Sequence, residues 1–134
     1  MLHSIFGQSY ENWKIILIDD VSDDKHKEKQ KEILEGFYGL LSDNDKSKLE
    51  VVWNAEKKWE VANVLHGISL CSDEDIVCRI DADDWLIDLD ALAIIDVYYR
   101  KSFCDILWTA HRWGFSDANI SGPMQDDADP YKHP

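Results

Sequence analysis

Three carboxylates stand within four positions at Asp81-Ala82-Asp83-Asp84, directly after the largely apolar run Ile76-Val77-Cys78-Arg79-Ile80. On an extended chain, residues two apart point to the same side, so Asp81 and Asp83 face together. Two unit charges about 5 Å apart repel by roughly 3 kcal/mol at an effective dielectric near 20. A divalent cation removes that repulsion, and oxygen-only ligands suit Mg²⁺ or Mn²⁺. A solvated acidic loop with a helix cap is the competing reading of the same residues. A second acidic strand end, Ile15-Ile16-Leu17-Ile18-Asp19-Asp20, shifts the balance towards chemistry.

Both clusters need elements to hold them. Leu2, Ile5 and Phe6 share one face of a short helical stretch within residues 1–10. Trp13–Ile18 reads as a continuously apolar strand of the kind buried on both faces of a parallel sheet. Ser22 or Asp23 is placed to cap a helix from about Lys25 to Leu41, with Ile33, Leu34, Phe37, Tyr38 and Leu41 as its apolar stripe. Leu49–Trp53 reads as a second strand. Trp59–Leu70 reads as a helix with Val61, Val64, Leu65 and Ile68 at core spacing. Asp75–Ile80 is expected to be a third strand. Asp88 is expected to cap a helix reaching about Lys101, and Asp105–Trp113 to form a fourth strand. Strands alternating with helices predict an α/β architecture, doubly wound around a mainly parallel sheet. In such sheets ligands sit at the carboxyl ends of the strands, which puts Asp19, Asp20, Asp81, Asp83 and Asp84 on one rim. No glycine-rich phosphate loop follows any strand. A phosphate ligand would therefore be held through a metal.

The totals narrow the function. The chain has 134 residues, enough for one domain, and 45% hydrophobic residues, enough for a core. A net charge of −13 argues against a nucleic-acid partner or an anionic membrane surface. Cys71, Cys78 and Cys104 are odd in number and lack a paired spacing, which favours reduced structural thiols and a cytoplasmic setting. No apolar run approaches the ~18 residues of a membrane span, so no transmembrane segment is expected. The histidines show no zinc-ligand spacing. His66 reads as a packing residue on its helix, and His111 as a possible substrate contact on the fourth strand. Trp85 is expected to close the core behind the acidic loop.

Several of these residues also form an ordered series. Ser4-Ile5, Gln8, Tyr10, Asn12, Ile15-Ile16, Ile18-Asp19-Asp20, Ser22 and Asp24 come first. Asn54, Ala62-Asn63, Gly67-Ile68 and Ile80-Asp81-Ala82-Asp83-Asp84-Trp85-Leu86 follow in order. Over about residues 2–110 this series resembles family 2 glycosyltransferases, which have the GT-A fold. The resemblance implies metal-dependent transfer of a sugar, with inversion, from a nucleotide-diphosphate sugar (a UDP-sugar) to a hydroxyl of a glycan or other acceptor. It implies that Asp20, with its neighbour Asp19, recognises the base. It implies that Asn63 lies near the nucleotide, that Asp81 lies near the ribose and the metal, and that Asp83 binds Mn²⁺ or Mg²⁺. Lys57 and Lys58 are near the family's basic position but out of register, and read better as solvent-exposed lysines.

The chain departs from the family pattern in three ways. The family's first strand is not seen before the Trp13–Ile18 strand. Val21 replaces the usual glycine after the acidic pair. No residue after Asp84 is placed to be the general base that inverting transfer requires, and Asp126, Asp127 and Asp129 have no defined position. The expected division is a donor-binding part over residues 1–113 and an irregular tail, or the start of an acceptor-binding region, over residues 114–134. On this reading the chain is part of a longer enzyme, is inactive alone, and takes its catalytic base from elsewhere. Two alternatives stand beside it: a non-catalytic nucleotide-binding remnant, and a receiver-type signalling domain with a bound Mg²⁺. The second needs an aspartate ending its third strand and a later Lys-Pro, and the sequence has no Lys-Pro.

Overall fold

The computed structural model describes residues 1–102, 104–107 and 109. Elements run in the order α1 (Leu2–Phe6), β1 (Ile15–Asp19), α2 (Asp24–Tyr38), α3 (Asp43–Lys46), β2 (Leu49–Trp53), α4 (Trp59–Ser69) and α5 (Ala91–Ser102). The architecture is α/β, as the alternation of patterns predicts. Contacts divide the chain into two units, Met1–Ile94 and Ile95–Pro134. In the second, Arg100 Nε lies 2.8 Å from Asp96 Oδ2 one turn earlier on α5.

β1 and β2 pair in parallel, from Ile15 opposite Leu49 to Asp19 opposite Trp53. Parallel neighbours need a crossover long enough to return to the starting edge, and α2 with α3 supplies it. The core gathers where the two strands begin. Ile15 and Leu49 are buried there with Leu34 and Phe37 of α2 and Ile5 of α1. Phe6 joins them edge-on to Phe37, with ring centroids 5.1 Å apart, and edge-on to Trp13 at 4.8 Å. Tyr38, at the end of α2, donates its hydroxyl to the Leu49 carbonyl at 3.2 Å.

The expected third strand does not form. Ile76–Ile80 has no regular structure, and Ile76 and Val77 stand 41% and 49% exposed. A strand exists only where its N–H and C=O groups find a ladder. Among the described residues the sheet has two strands, and this segment pairs with the open edge of neither. It is tethered through a side chain instead, with Arg79 Nη1 2.7 Å from Glu60 Oε1 on α4. The same shortage of layers leaves most of β1 and β2 half-buried. On α4, Val61, Leu65 and Ile68 are exposed although their spacing suits a core face. That helix meets β1 through its other side: a methyl added at Gly67 would touch Ile18 Cδ1 at 3.5 Å. Trp85 is 50% exposed and does not close the core. Residues 105–107 are irregular, and the rest of the expected fourth strand, with His111, falls outside the described residues apart from position 109.

Gln8 joins α1 to the segment after the acidic loop. It is buried, and its amide N–H₂ donates to the carbonyls of Ser4 at 2.9 Å and Asp88 at 2.8 Å. Its oxygen accepts the Leu92 N–H at 3.0 Å. That N–H is one of the orphan donors of the first turn of α5, so Gln8 does the capping expected of Asp88. Ser4 Oγ accepts the Leu86 N–H at 3.0 Å, and Ser9 Oγ donates to Asp90 at 2.6 Å. Replacing Gln8 by alanine leaves two carbonyls and one N–H without their partner. A loss of about 2 kcal/mol is expected, read as a lower urea midpoint with an unchanged slope.

Candidate functional site

The carboxyl ends of β1 and β2 carry a polar cluster built from residues far apart in the chain. β1 ends in Asp19, and Asp20 follows it. The Asp19 carboxylate accepts the Ser22 N–H at 3.1 Å and the Ser22 hydroxyl, closing a turn. The turn forces Val21 to φ 61°, a left-handed conformation that a β-branched side chain rarely adopts. Asp23 then caps α2 by accepting the His26 N–H at 2.9 Å. That hydrogen bond, with the His26 ring beside it, holds the Asp23 carboxyl below the usual carboxylate range.

Asp20 reaches across to α4. Its Oδ1 accepts the Lys58 N–H at 2.7 Å and the Asn54 amide at 3.0 Å, and its Oδ2 accepts the Trp59 N–H at 2.9 Å. Lys58, the residue before α4, offers no side-chain cap of its own. Asp20 therefore caps a helix that begins 39 positions later in the chain. These donors, the Lys58 N–H foremost, hold the Asp20 carboxyl far below the usual range. Trp59 takes φ 66° where it makes this bond, and its side chain is 70% exposed with Lys57 Nζ 5.2 Å from the ring.

Asn54, the first residue after β2, completes the cluster. Its N–H continues the ladder to the Asp19 carbonyl at 3.0 Å. Its side-chain N–H₂ donates to Asp20 Oδ1 and, at 2.7 Å, to Asn63 Oδ1 on α4. Asp19, Asp20 and Asn63 are thus gathered at one rim, whereas the third strand expected to bring Asp81, Asp83 and Asp84 to it does not form. The role of Asn54 was not foreseen. Its signal is the same as that of Asp19 and Asp20: a polar side chain at the end of an apolar strand.

The acidic loop is arranged differently. Asp81, Asp83 and Asp84 are all exposed, in a turn where the Asp84 N–H bonds the Asp81 carbonyl at 3.0 Å. Arg79 Nη2 lies 3.1 Å from Asp81 Oδ1. The hydrogen bond to Asp81, then the charges of Asp81 and Glu60, raise the Arg79 guanidinium above its ordinary pKa. Part of the repulsion expected between Asp81 and Asp83 is therefore met by a neighbouring cation. Among the described residues, no three His, Cys, Asp or Glu side chains gather as a cation site. The donor chemistry still suits Mg²⁺ or Mn²⁺, which commonly take one or two carboxylates and complete their shell with water and substrate phosphates.

A family model described as "Glycosyl transferase family 2" matches residues 1–117. No curated protein and no solved structure matches the chain. The α/β architecture with its small parallel sheet is consistent with a partial GT-A fold. Among the described residues, no helix is long and apolar enough to cross a membrane.

Two outcomes follow from this geometry. Val21 is exposed, so Val21→Gly loses little burial while relieving the left-handed strain, worth roughly 1 kcal/mol net of glycine's entropy cost. A melting temperature a few degrees higher is expected. The Asp20 carboxyl titrates below its ordinary 3.8 when folded, so the unfolded chain takes up its proton first as the solution is acidified. Its stabilisation is complete above about pH 5 and is lost progressively below about pH 4. Urea midpoints measured from pH 7 to pH 3 should fall less steeply in Asp20→Asn than in the wild type, from a lower starting value.

Proposed function

The chain belongs to glycosyl transferase family 2, and on that premise we propose that it forms the donor-binding part of a metal-dependent, inverting glycosyltransferase that uses a UDP-sugar. Membership in the family implies a sugar donor and an acceptor. The observation that supports the donor assignment is the cluster of Asp20, Asn54 and Asn63 at the carboxyl ends of a parallel strand pair. That is where α/β sheets bind ligands. Asp20 has one hydrogen bond on Oδ2 and can accept a further N–H there, such as the imide of uracil. Asp19 holds the turn that presents Asp20. Asn63 lies beside it for the nucleoside.

Asp81 and Asp83 hold the cation in this reading, with Asp81 also near the ribose. When bound, a divalent ion supplies Lewis-acid stabilisation of the leaving diphosphate. Arg79 would then share Asp81 with the ion, and Gln8 and Ser4 hold the chain that follows the loop. The base that deprotonates the acceptor hydroxyl is assigned to a part of the enzyme beyond Asp84. Asp126, Asp127 and Asp129 fall outside the described residues. The cation, the sugar donor and the stereochemistry rest on the family resemblance and the donor chemistry.

Titration of UDP by calorimetry, with and without Mn²⁺, tests the proposal. Mn²⁺ should tighten UDP binding at least tenfold, equivalent to about 1.4 kcal/mol. Asp83→Ala should remove that gain without lowering the melting temperature. Asp20→Asn should weaken UDP about tenfold and leave Mn²⁺ dependence in place. A Mn²⁺ response unchanged in Asp83→Ala rejects the metal assignment. UDP binding with no Mn²⁺ response in the wild type favours a non-catalytic nucleotide-binding protein.

A further inference from the structure

Asn54 is 5% exposed, more enclosed than any member of the apolar core, whose most buried residue is Leu49 at 6%. A polar side chain is stable in such a place only if its groups are bonded. The two N–H groups of Asn54 meet two acceptors, Asp20 Oδ1 at 3.0 Å and Asn63 Oδ1 at 2.7 Å. The reverse amide orientation would turn an oxygen towards both of them, so the partners themselves fix which way Asn54 points. The consequence passes outward. Asn63 Oδ1 accepts from Asn54, which leaves the N–H₂ side of Asn63 turned away from it. Asp20, an acceptor on both oxygens, holds Asn54 and Lys58 on Oδ1 and keeps its spare acceptor capacity on Oδ2. One buried amide therefore holds the orientation of two neighbouring side chains at the rim.

We propose that Asn54 is a positioning residue for nucleoside recognition: it presents Asp20 as an acceptor and Asn63 as a donor to a base edge that alternates N–H and C=O groups. This rests on the donor-site reading above and extends it to a residue that touches no ligand itself. An imide edge, as in uracil, has that alternation, whereas the amino-pyrimidine edge of cytosine does not offer an N–H between two carbonyls.

The test uses the full-length protein with UDP, CDP and inorganic pyrophosphate, each with Mn²⁺. Asn54→Asp keeps the shape of the side chain but sets an acceptor against Asp20 and Asn63. UDP affinity should fall at least tenfold, preference for UDP over CDP should shrink, and pyrophosphate affinity should stay within twofold. Asn54→Ala, which removes the donor without adding a charge, should lose less UDP affinity than Asn54→Asp. It serves alone if the aspartate variant does not fold. A residue that merely fills space would show the opposite order, with alanine the more damaging. That order, or equal losses of UDP and pyrophosphate, overturns the proposal while leaving the donor site standing. Failure of the wild-type protein to bind UDP overturns the donor-site reading, and this proposal with it.

Discussion

The carboxylate of Asp20 is the interaction on which the rim of this protein depends. It leaves β1, accepts two backbone N–H groups at the start of α4, and is itself held by the amide that ends β2. Three elements meet on one side chain. The start of a helix exposes N–H groups without intrahelical partners and carries the positive end of its dipole. A carboxylate is the strongest simple answer to both. Asn54 and Asn63 then inherit their orientations from that anchor, and the rim acquires a defined pattern of donors and acceptors.

The acidity of the chain divides into different kinds of work. Asp19 closes the turn after β1, Asp20 caps α4, and Asp23 caps α2. These carboxylates are already partnered and need no cation. Asp81, Asp83 and Asp84 stand in solvent, with Arg79 against the first of them. A net charge of −13 therefore does not measure the number of metal ligands. The informative contrast is between carboxylates satisfied by backbone N–H groups and carboxylates left open to solvent.

The state of Ile76–Ile80 shows how a local signal depends on its neighbours. Its residues favour strand, and its position before the acidic loop would put Asp81 and Asp83 at a strand end. Strand identity is conferred by pairing, and this segment joins neither open edge of the two-stranded sheet. The loop is held instead from both sides by long-range contacts. Arg79 reaches Glu60 behind it, and Ser4 and Gln8 bind residues 86–92 ahead of it.

The sequence by itself determined the two parallel strands, the helices α1, α2, α4 and α5, the family and the place of Asp19 and Asp20 at the end of β1. Those follow from apolar periodicity and from polar residues that end apolar runs, and both are local properties. Local caps were legible for the same reason: Asp23 lies within one turn of the N–H it bonds. The tertiary structure alone decided that Asp20 caps α4, that Gln8 displaces Asp88 at the start of α5, and that Asn54 fixes the two side chains beside it. Each is a hydrogen bond between residues whose approach depends on how the elements pack. The exposed sides of α4 and of Ile76–Val77 were equally beyond local reading. An apolar spacing says that a face can be buried, and only the layers actually present decide whether it is.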